Sequence, residues 1–125
     1  MSCTAYSCHC YTRAYRKALE IEEELGRKEG IAISYGNLGL VYQTRGELDQ
    51  AEAMSCKALE ISETLGYKEG MASAYGNLGV VYWRRRELDQ AEAMYRKALI
   101  LFQDIGATSQ VGRIKNLLNA LHESG

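Results

Sequence analysis

Residues 30–39 read Gly-Ile-Ala-Ile-Ser-Tyr-Gly-Asn-Leu-Gly, and residues 70–79 read Gly-Met-Ala-Ser-Ala-Tyr-Gly-Asn-Leu-Gly. Further along the chain, the segment Glu-Leu-Asp-Gln-Ala-Glu-Ala-Met occurs at residues 47–54 and again, unchanged, at residues 87–94. Both pairs of segments are separated by the same offset of about 40 residues, which is typical of a stacked repeat array. The repeat therefore predicts the fold, and it indicates a function carried by a surface rather than by a catalytic centre.

Each repeat divides into two helical patterns. In the first pattern, the apolar and small residues that recur every three or four positions share one helix face: Ala32, Tyr35, Leu38, Gly39 and Tyr42. Gly46 interrupts this pattern, because glycine readily takes the left-handed conformation that ends a helix. The second helix is predicted to begin near Leu48 and to end at Gly66. Its predicted buried face consists of Leu48, Ala51, Ser55, Ala58, Leu59, Ser62 and Leu65.

Small residues at matching positions predict close contact between the two helices of each hairpin. Gly39 is expected to face Ala51, and Gly79 is expected to face Ala91. A glycine inside a helix costs roughly 0.5–1 kcal/mol relative to alanine. Its presence in both repeats indicates that the close approach outweighs this cost.

The repeat can be compared with a known family through the positions that define its pattern: Tyr35, Leu38, Gly39, Tyr42, Ala51 and Ala58. This pattern resembles the tetratricopeptide repeat. The unit is longer than the usual form, and the Leu-Gly-x-Lys-Glu-Gly extension at residues 25–30 and 65–70 stands in place of the family's proline. The longer version is similar to repeats in kinesin light chains, in the Leu-Gly-Asn spindle adaptors and in many bacterial arrays. The resemblance implies an all-α, right-handed solenoid of stacked antiparallel helix hairpins that binds peptides or proteins.

The chain is expected to form a single domain, residues 1–125, with a capping helix at its C-terminal end. The predicted units are an incomplete first repeat (1–29), two complete repeats (30–69 and 70–109) and the cap (110–125). The cap follows from an apolar stripe of Ile114, Leu117, Leu118 and Leu121 beside a polar stripe of Arg113, Lys115, Asn116, Asn119 and His122. A polar, solvent-exposed outer face on the terminal helix keeps a solenoid soluble.

The incomplete first repeat predicts self-association. The run Tyr-Arg-Lys-Ala-Leu at residues 15–19 matches residues 95–99, so residues 8–25 correspond to a second helix without its first. Such a helix leaves an apolar face in water, which favours a homodimer or the exchange of a helix. The alternatives are a frayed end and the boundary of a longer array.

The resemblance implies that the first helix of each repeat lines a concave binding surface. Carried over position by position, the lining is Ile33, Asn37, Leu40, Gln43 and Thr44 from one repeat and Ser73, Asn77, Val80, Trp83 and Arg84 from the next. Asn37 and Asn77 could hold the backbone of an extended peptide, because each amide carries donors and an acceptor. Gln43 and Thr44 of one repeat are replaced by Trp83 and Arg84 at the equivalent positions of the next, whereas the residues predicted to be buried in the first helix are the same in both repeats. This difference fits either a specialised surface or neutral drift.

Trp83 has two interpretations. Trp and Arg are frequent at binding hot spots, so Trp83 with Arg84 could anchor an aromatic or acidic peptide segment. Alternatively, Trp83 packs under the C-terminal helix, while the arginines are solvated or pair with Glu87 and Asp89. Leu40 and Val80 occupy positions where family members that clamp a terminal carboxylate have Asn, so that clamp is not expected. Arg86 replaces Gly46 at the hairpin turn, where a positive φ would strain it by roughly 1 kcal/mol.

Catalysis and metal binding are not expected. Cys3, Cys8, His9 and Cys10 are the metal-ligating cluster, but their spacing does not fit the Cys-x-x-Cys pairs of zinc sites. The alternatives for this cluster are a zinc or haem-like site and a set of reactive thiols, of which we favour the thiols. No nucleophile and base stand together in the sequence, so we predict a non-enzymatic protein without cofactors.

Charge and composition limit the classes of partner that the chain is expected to bind. The 125-residue chain has 15 Lys and Arg against 16 Asp and Glu, a formal net charge of −1, so no basic field attracts nucleic acid or anionic lipid. No apolar run approaches the ~18 residues of a membrane helix, and no secretory signal is visible. The four cysteines are then expected to be reduced thiols, which predicts a cytoplasmic protein.

Overall fold

A computed structural model describes residues 15–18, 20 and 28–124 of the chain. The predictions on residues 1–14, including the cysteine cluster, lie outside the described residues. Residues 15–18 are helical, and five longer helices follow: α1 (Lys28–Thr44), α2 (Leu48–Leu65), α3 (Lys68–Arg84), α4 (Leu88–Asp104) and α5 (Thr108–Ser124). No strand occurs in these described segments, so the all-α prediction is confirmed.

Left-handed glycines follow three of the helices, and two of them, Gly46 and Gly66, were predicted to end a helix. Gly46, Gly66 and Gly106 have φ values of +80°, +68° and +71°. The amide of Gly66 donates to the carbonyl of Glu63 and thereby closes the last turn of α2. Arg86 stands where the first hairpin has Gly46 and also has a positive φ of 68°, the strained conformation expected there.

The helices stack as antiparallel hairpins. α1 packs on α2 and α3 on α4, while α2 contacts α3 and α4 contacts α5. In addition, α1 contacts α3, whereas α2 and α4 have almost no contact. The first helices of the hairpins therefore lie closer together than the second helices, which places α1 and α3 on the inner side of the stack.

The hydrophobic core consists of two clusters of unequal size. The larger joins α3, α4 and α5 through Ala72, Ala91, Tyr95, Ala98, Phe102, Ile114, Leu118 and Leu121. The smaller consists of Leu38, Tyr42, Ala51 and Val81. On the predicted buried face of α2, Leu48 and Leu59 are half-buried, while Ala51, Ser55, Ala58 and Ser62 are buried. The prediction for Leu65 is wrong: it is 38% exposed, because burial of α2 ends at Ser62, nearly one turn before the helix does.

The two hairpin glycines allow close approach for different reasons. A Cβ atom on Gly39 would lie 2.9 Å from Ser55 Oγ and 3.5 Å from the carbonyl oxygen of Ala51, close to the predicted contact. A Cβ atom on Gly79 would lie 2.6 Å from Cε1 of Tyr95. The nearest neighbour of Gly79 is therefore the Tyr95 ring and not the predicted Ala91.

Helix α5 packs on α4 as the last described helix of the stack. Ile114, Leu118 and Leu121 are buried and Leu117 is half-buried, so the apolar stripe faces the larger cluster. The predicted polar stripe is exposed at each of its positions: Arg113, Lys115, Asn116, Asn119 and His122. Asn119 stands 40 positions after Gly79 and therefore at the equivalent position of its repeat. At this position, Gly79 of α3 allows the following helix to approach closely, whereas α5 has the larger Asn119 side chain.

Candidate functional site

A groove of about 490 Å³ is lined by the first helices of the stack, α1, α3 and α5. Ala58 of α2 and Phe102 of α4 contribute to its lining from the second helices. Helices α3 and α5 make fewer contacts with each other than α1 and α3 do. Ile114 takes the place of Ser34 and Ala74 in the register and reaches Gly76, where an added Cβ would stand 3.9 Å from its Cδ1. The larger side chain keeps α5 away from α3 and leaves the groove open.

Most of the sequence-predicted surface lies in this groove. It contains Ile33, Asn37, Leu40, Ser73, Asn77 and Val80. Ile33 is 51% exposed and Leu40 is 46% exposed. These two residues give the α1 side of the groove an apolar surface in contact with solvent.

Two asparagines sit at equivalent positions on neighbouring helices. Asn37 of α1 and Asn77 of α3 are both half-buried. Within residues 28–124 and the short N-terminal helical stretch, neither side-chain amide has a hydrogen-bond partner. A half-buried amide without a protein partner retains two donors and an acceptor for a ligand.

The remaining predicted residues lie outside the groove, near the C-terminal ends of α1 and α3. Trp83 is half-buried and packs against the larger core cluster, which agrees with the structural interpretation of this residue. Arg84 is exposed, and its guanidinium donates to the backbone carbonyl of Gln43. The hydroxyl of Thr44 donates to the carbonyl of Leu40 over 2.9 Å. Trp83, Arg84 and Thr44 thus already make contacts inside the molecule.

A polar network joins the two hairpins beside Trp83. Arg85 Nη1 lies 2.8 Å from Glu52 Oε1, and Arg85 also pairs with Asp49. Tyr82 donates its hydroxyl to Glu52 Oε2 over 2.7 Å. The expected pairing of the arginines with Glu87 and Asp89 is therefore wrong for Arg85, because its side chain reaches back to α2 of the preceding hairpin.

The pKa values of this network reflect its hydrogen bonds. The hydrogen bond from Arg85, followed by the one from Tyr82, lowers the pKa of Glu52 below its usual range. The hydrogen bond to Glu52, followed by burial of the phenol, raises the pKa of Tyr82 to about 12. At neutral pH the carboxylate is therefore ionised and the phenol is protonated, as this network requires.

Sequence reasoning missed one wall of the groove. Gln110, Arg113 and Leu117 of α5 contribute to the lining, as do Tyr67 and Glu69 near the start of α3. The repeat register contained the signal: adding 40 to Ser73 and Asn77 gives Arg113 and Leu117. Because residues 110–125 were interpreted only as a cap, the register was not extended to them.

Two further features of the described part of the chain are the arrangement of its metal-ligating side chains and the apolar character of its helices. No three His, Cys, Asp or Glu side chains come together there to hold an ion. Cys56 has a free thiol, and partial desolvation of its sulfur, followed by the negative charge of nearby Glu52, raises its pKa. Among the described helices, none is long and apolar enough to cross a membrane.

Comparisons with known proteins agree with the helical stack and its repeat. The family model for the tetratricopeptide repeat matches residues 13–64 and residues 32–104. The chain belongs to the tetratricopeptide repeat family. Repeats of this family generally mediate protein–protein interaction. The finer similarity to kinesin light chains and Leu-Gly-Asn adaptors stays a prediction.

A solved structure supports the same fold. The chain is similar to BtubC (BKLC) from P. vanneervenii, with a TM-score of 0.62 and 22% sequence identity. The similarity covers 90% of this chain and 56% of BtubC, so the chain spans little more than half of that protein's length. At this identity the comparison supports the fold alone. A comparison with curated proteins found no significant match.

Proposed function

We propose that this tetratricopeptide repeat chain is a non-enzymatic interaction module that binds an extended peptide segment of a partner protein in the groove between α1, α3 and α5. The observation that carries the proposal is the pair of half-buried amides of Asn37 and Asn77, which have no partner among the described residues and share one groove with the exposed aliphatic side chains of Ile33 and Leu40. Apolar grooves with a few polar groups at fixed positions are typical of ligand sites.

The recognition would use both kinds of group. An extended peptide exposes backbone N–H and C=O groups, and an asparagine amide can accept from one and donate to the other. Asn37 and Asn77 recur at the same position of successive repeats and could therefore hold successive stretches of backbone. Ile33, Leu40 and Val80 would contact aliphatic side chains of the peptide and remove apolar surface from water.

The test is a selection of random dodecapeptides displayed on phage, followed by fluorescence anisotropy with labelled peptides from the enriched set. The variant N37A/N77A should bind these peptides at least about tenfold more weakly, since each lost hydrogen bond is worth about 0.5–1.5 kcal/mol. Its stability should be unchanged or slightly higher, because these amides lack partners in the described part of the protein and alanine favours helix.

Asn119→Ala is the matched control. Asn119 is an exposed asparagine on the outer face of α5, away from the groove lining, so its replacement should leave peptide affinity unchanged. Equal affinity of the double variant and the unmodified protein would overturn the proposal, and so would an equal loss in Asn119→Ala.

Self-association is the second candidate function. Its support is the sequence of residues 8–25, which corresponds to a second repeat helix, together with Tyr15, which packs against the smaller core cluster. Size-exclusion chromatography with light scattering tests it on the full chain. A dimer whose formation is independent of N37A/N77A supports this candidate, and a monomer at high concentration contradicts it. A cytoplasmic location, with protein partners and neither nucleic acid nor membrane, stays a prediction.

A further inference from the structure

Two charged residues occur in the lining of the groove, and they stand on different helices. Glu69 lies in the first turn of α3, and Arg113 lies in the second turn of α5. The repeat register sharpens this contrast. Glu69 corresponds to Glu29 of α1, whereas Arg113 corresponds to Ile33 and Ser73. The charge of the groove thus changes sign between α3 and α5.

Arg113 is available for a ligand. It is exposed, and no carboxylate or carbonyl within residues 28–124 receives a hydrogen bond or an ion pair from its guanidinium. Arg85, by contrast, is bound to Asp49 and Glu52, and Arg84 donates to Gln43. A guanidinium offers planar, paired donors that match a carboxylate.

The α3 lining near Glu69 would repel an acidic side chain. Glu69 stands beside Tyr67, and its charge, together with that of Glu29, contributes to a raised pKa of the Tyr67 phenol after the larger effect of burial. Both carboxylates therefore act on the α1–α3 end of the groove. An acidic group on a bound peptide is disfavoured there and favoured near α5.

We propose that α5 is a specificity helix as well as a cap, and that Arg113 selects peptides with an acidic side chain next to the aliphatic residues that contact Val80 and Leu117. The inference rests on the proposed function and assigns the chemistry of its ligand. The acidic side chain lies beside Arg113 at the α5 side of the groove, so it fixes the register of the bound peptide. An internal Asp or Glu serves as well as a terminal carboxylate, since Leu40 and Val80 leave no amide clamp for a chain end.

The experiment repeats the phage selection of random dodecapeptides on the unmodified protein and on Arg113→Glu. The unmodified protein should enrich peptides with an Asp or Glu beside aliphatic residues. Arg113→Glu should instead enrich Lys or Arg at that position. For one labelled peptide from the first selection, replacing its acidic residue by the amide should weaken binding about threefold to tenfold, as expected for a partly exposed charged contact. The same replacement should have no effect on binding to Arg113→Ala.

Lys115→Glu is the matched control, because Lys115 lies two residues away on the outer face of α5 and undergoes the same change of charge. Its enriched peptides should keep the acidic residue. Peptides that need Asn37 and Asn77 but show no acidic preference would overturn this inference and leave the proposed function intact. A preference lost equally in Lys115→Glu would also overturn it, as an effect of net charge. Absence of any peptide that depends on the two asparagines would reject the proposed function and this inference together.

Discussion

The hairpin of α1 and α2 and the hairpin of α3 and α4 repeat nearly the same sequence, yet their interiors differ. Ser55 and Ser62 of α2 are buried where α4 has Tyr95 and Phe102. The two serines have buried hydroxyls without a partner among the described residues. Tyr95 and Phe102 instead join the larger cluster that extends into α5. The same helical pattern therefore encloses a large aromatic core in one hairpin and a small, partly polar one in the other.

This difference shows how the first hairpin is attached to the stack. Its own cluster is small and includes Val81 of the second hairpin, and polar contacts also reach it from that hairpin: the pairing of Arg85 with Asp49 and Glu52, the Tyr82 hydrogen bond to Glu52 and the Arg84 hydrogen bond to Gln43. We infer that α3–α5 contribute most of the apolar stabilisation, while α1–α2 depend more on polar contacts between hairpins. The proposed groove spans both regions.

Of the substitutions that test this contrast, Tyr95→Ala should lower the free energy of unfolding the most. The Tyr95 side chain is fully buried, and truncating such an aromatic residue costs about 3–5 kcal/mol. The equivalent Ser55→Ala should leave the free energy of unfolding within about 1 kcal/mol of the original, since it removes a buried hydroxyl without a partner. Urea titration followed by circular dichroism measures both values. Tyr95→Phe should be nearly neutral, and a large cost for it would mean that the phenol has a partner after all.

Gly79→Ala should destabilise more than Gly39→Ala. The new methyl group would stand 2.6 Å from the enclosed Tyr95 ring, and such overpacking costs about 1–3 kcal/mol. At position 39 the closest atom is the hydroxyl of Ser55, which can rotate away, and alanine gains about 0.8–1.0 kcal/mol in helix propensity over glycine. The same urea titration compares the variants. Equal costs at the two positions would contradict the assignment of a rigid aromatic contact to the second hairpin.

Arg85→Ala should lower the free energy of unfolding by about 1 kcal/mol at neutral pH, because the pairs it removes are only partly buried. The equivalent Arg45 pairs with its neighbour Glu47 at 3.3 Å, so Arg45→Ala should cost less. Thermal melts of both variants test whether Arg85, unlike Arg45, stabilises the contact between the two hairpins.

The cost of Arg85→Ala should also depend on pH. The folded protein holds the pKa of Glu52 below its ordinary value of 4.5, so this stabilisation is present above that value and is lost as the pH falls through the lowered pKa. The difference between Arg85→Ala and the unmodified protein should therefore shrink in acid. A difference that persists at low pH would indicate packing of the Arg85 side chain rather than its charge.

Arg86→Gly should have the smallest effect and the opposite sign. Arg86 has a φ of 68°, where the first hairpin has Gly46 at φ 80°, and a left-handed conformation costs a non-glycine residue roughly 1–2 kcal/mol. Glycine also increases the entropy of the unfolded chain, which offsets part of the gain, so we expect a net stabilisation of about 0.5–1 kcal/mol. The reciprocal Gly46→Arg should destabilise by a similar amount. A lower melting temperature for Arg86→Gly would show that the arginine side chain contributes at this turn.

The helix ends and the main contacts could be predicted because they depend on local chemistry. Gly46 and Gly66 end their helices through positive φ angles, and Ala51 and Ala58 are buried through their spacing on one face. Leu65 could not be predicted in this way. Its position continues the apolar stripe, but its burial depends on how far the neighbouring helices extend, and it is 38% exposed.

The groove was predictable in part. Asn37 and Asn77 were expected in the lining from the resemblance to the family, and the repeat register also contained Arg113, while Trp83 and Arg84 were expected in the lining and lie outside it. For these two residues, the position on the helix was not sufficient to predict whether the side chain lines the groove. Trp83 packs against the larger cluster, and Arg84 donates to the carbonyl of Gln43, 41 positions away in the sequence.

The amino-acid sequence alone determined the period, the helices and the faces that meet, since these follow from spacing along one chain and from the backbone freedom of glycine. The tertiary structure decided which residues of α1, α3 and α5 share one groove, and that Arg85 binds the preceding hairpin. Those features depend on distances between helices. The distances are set by the volume of side chains such as Ile114 and Tyr95 once they are packed together.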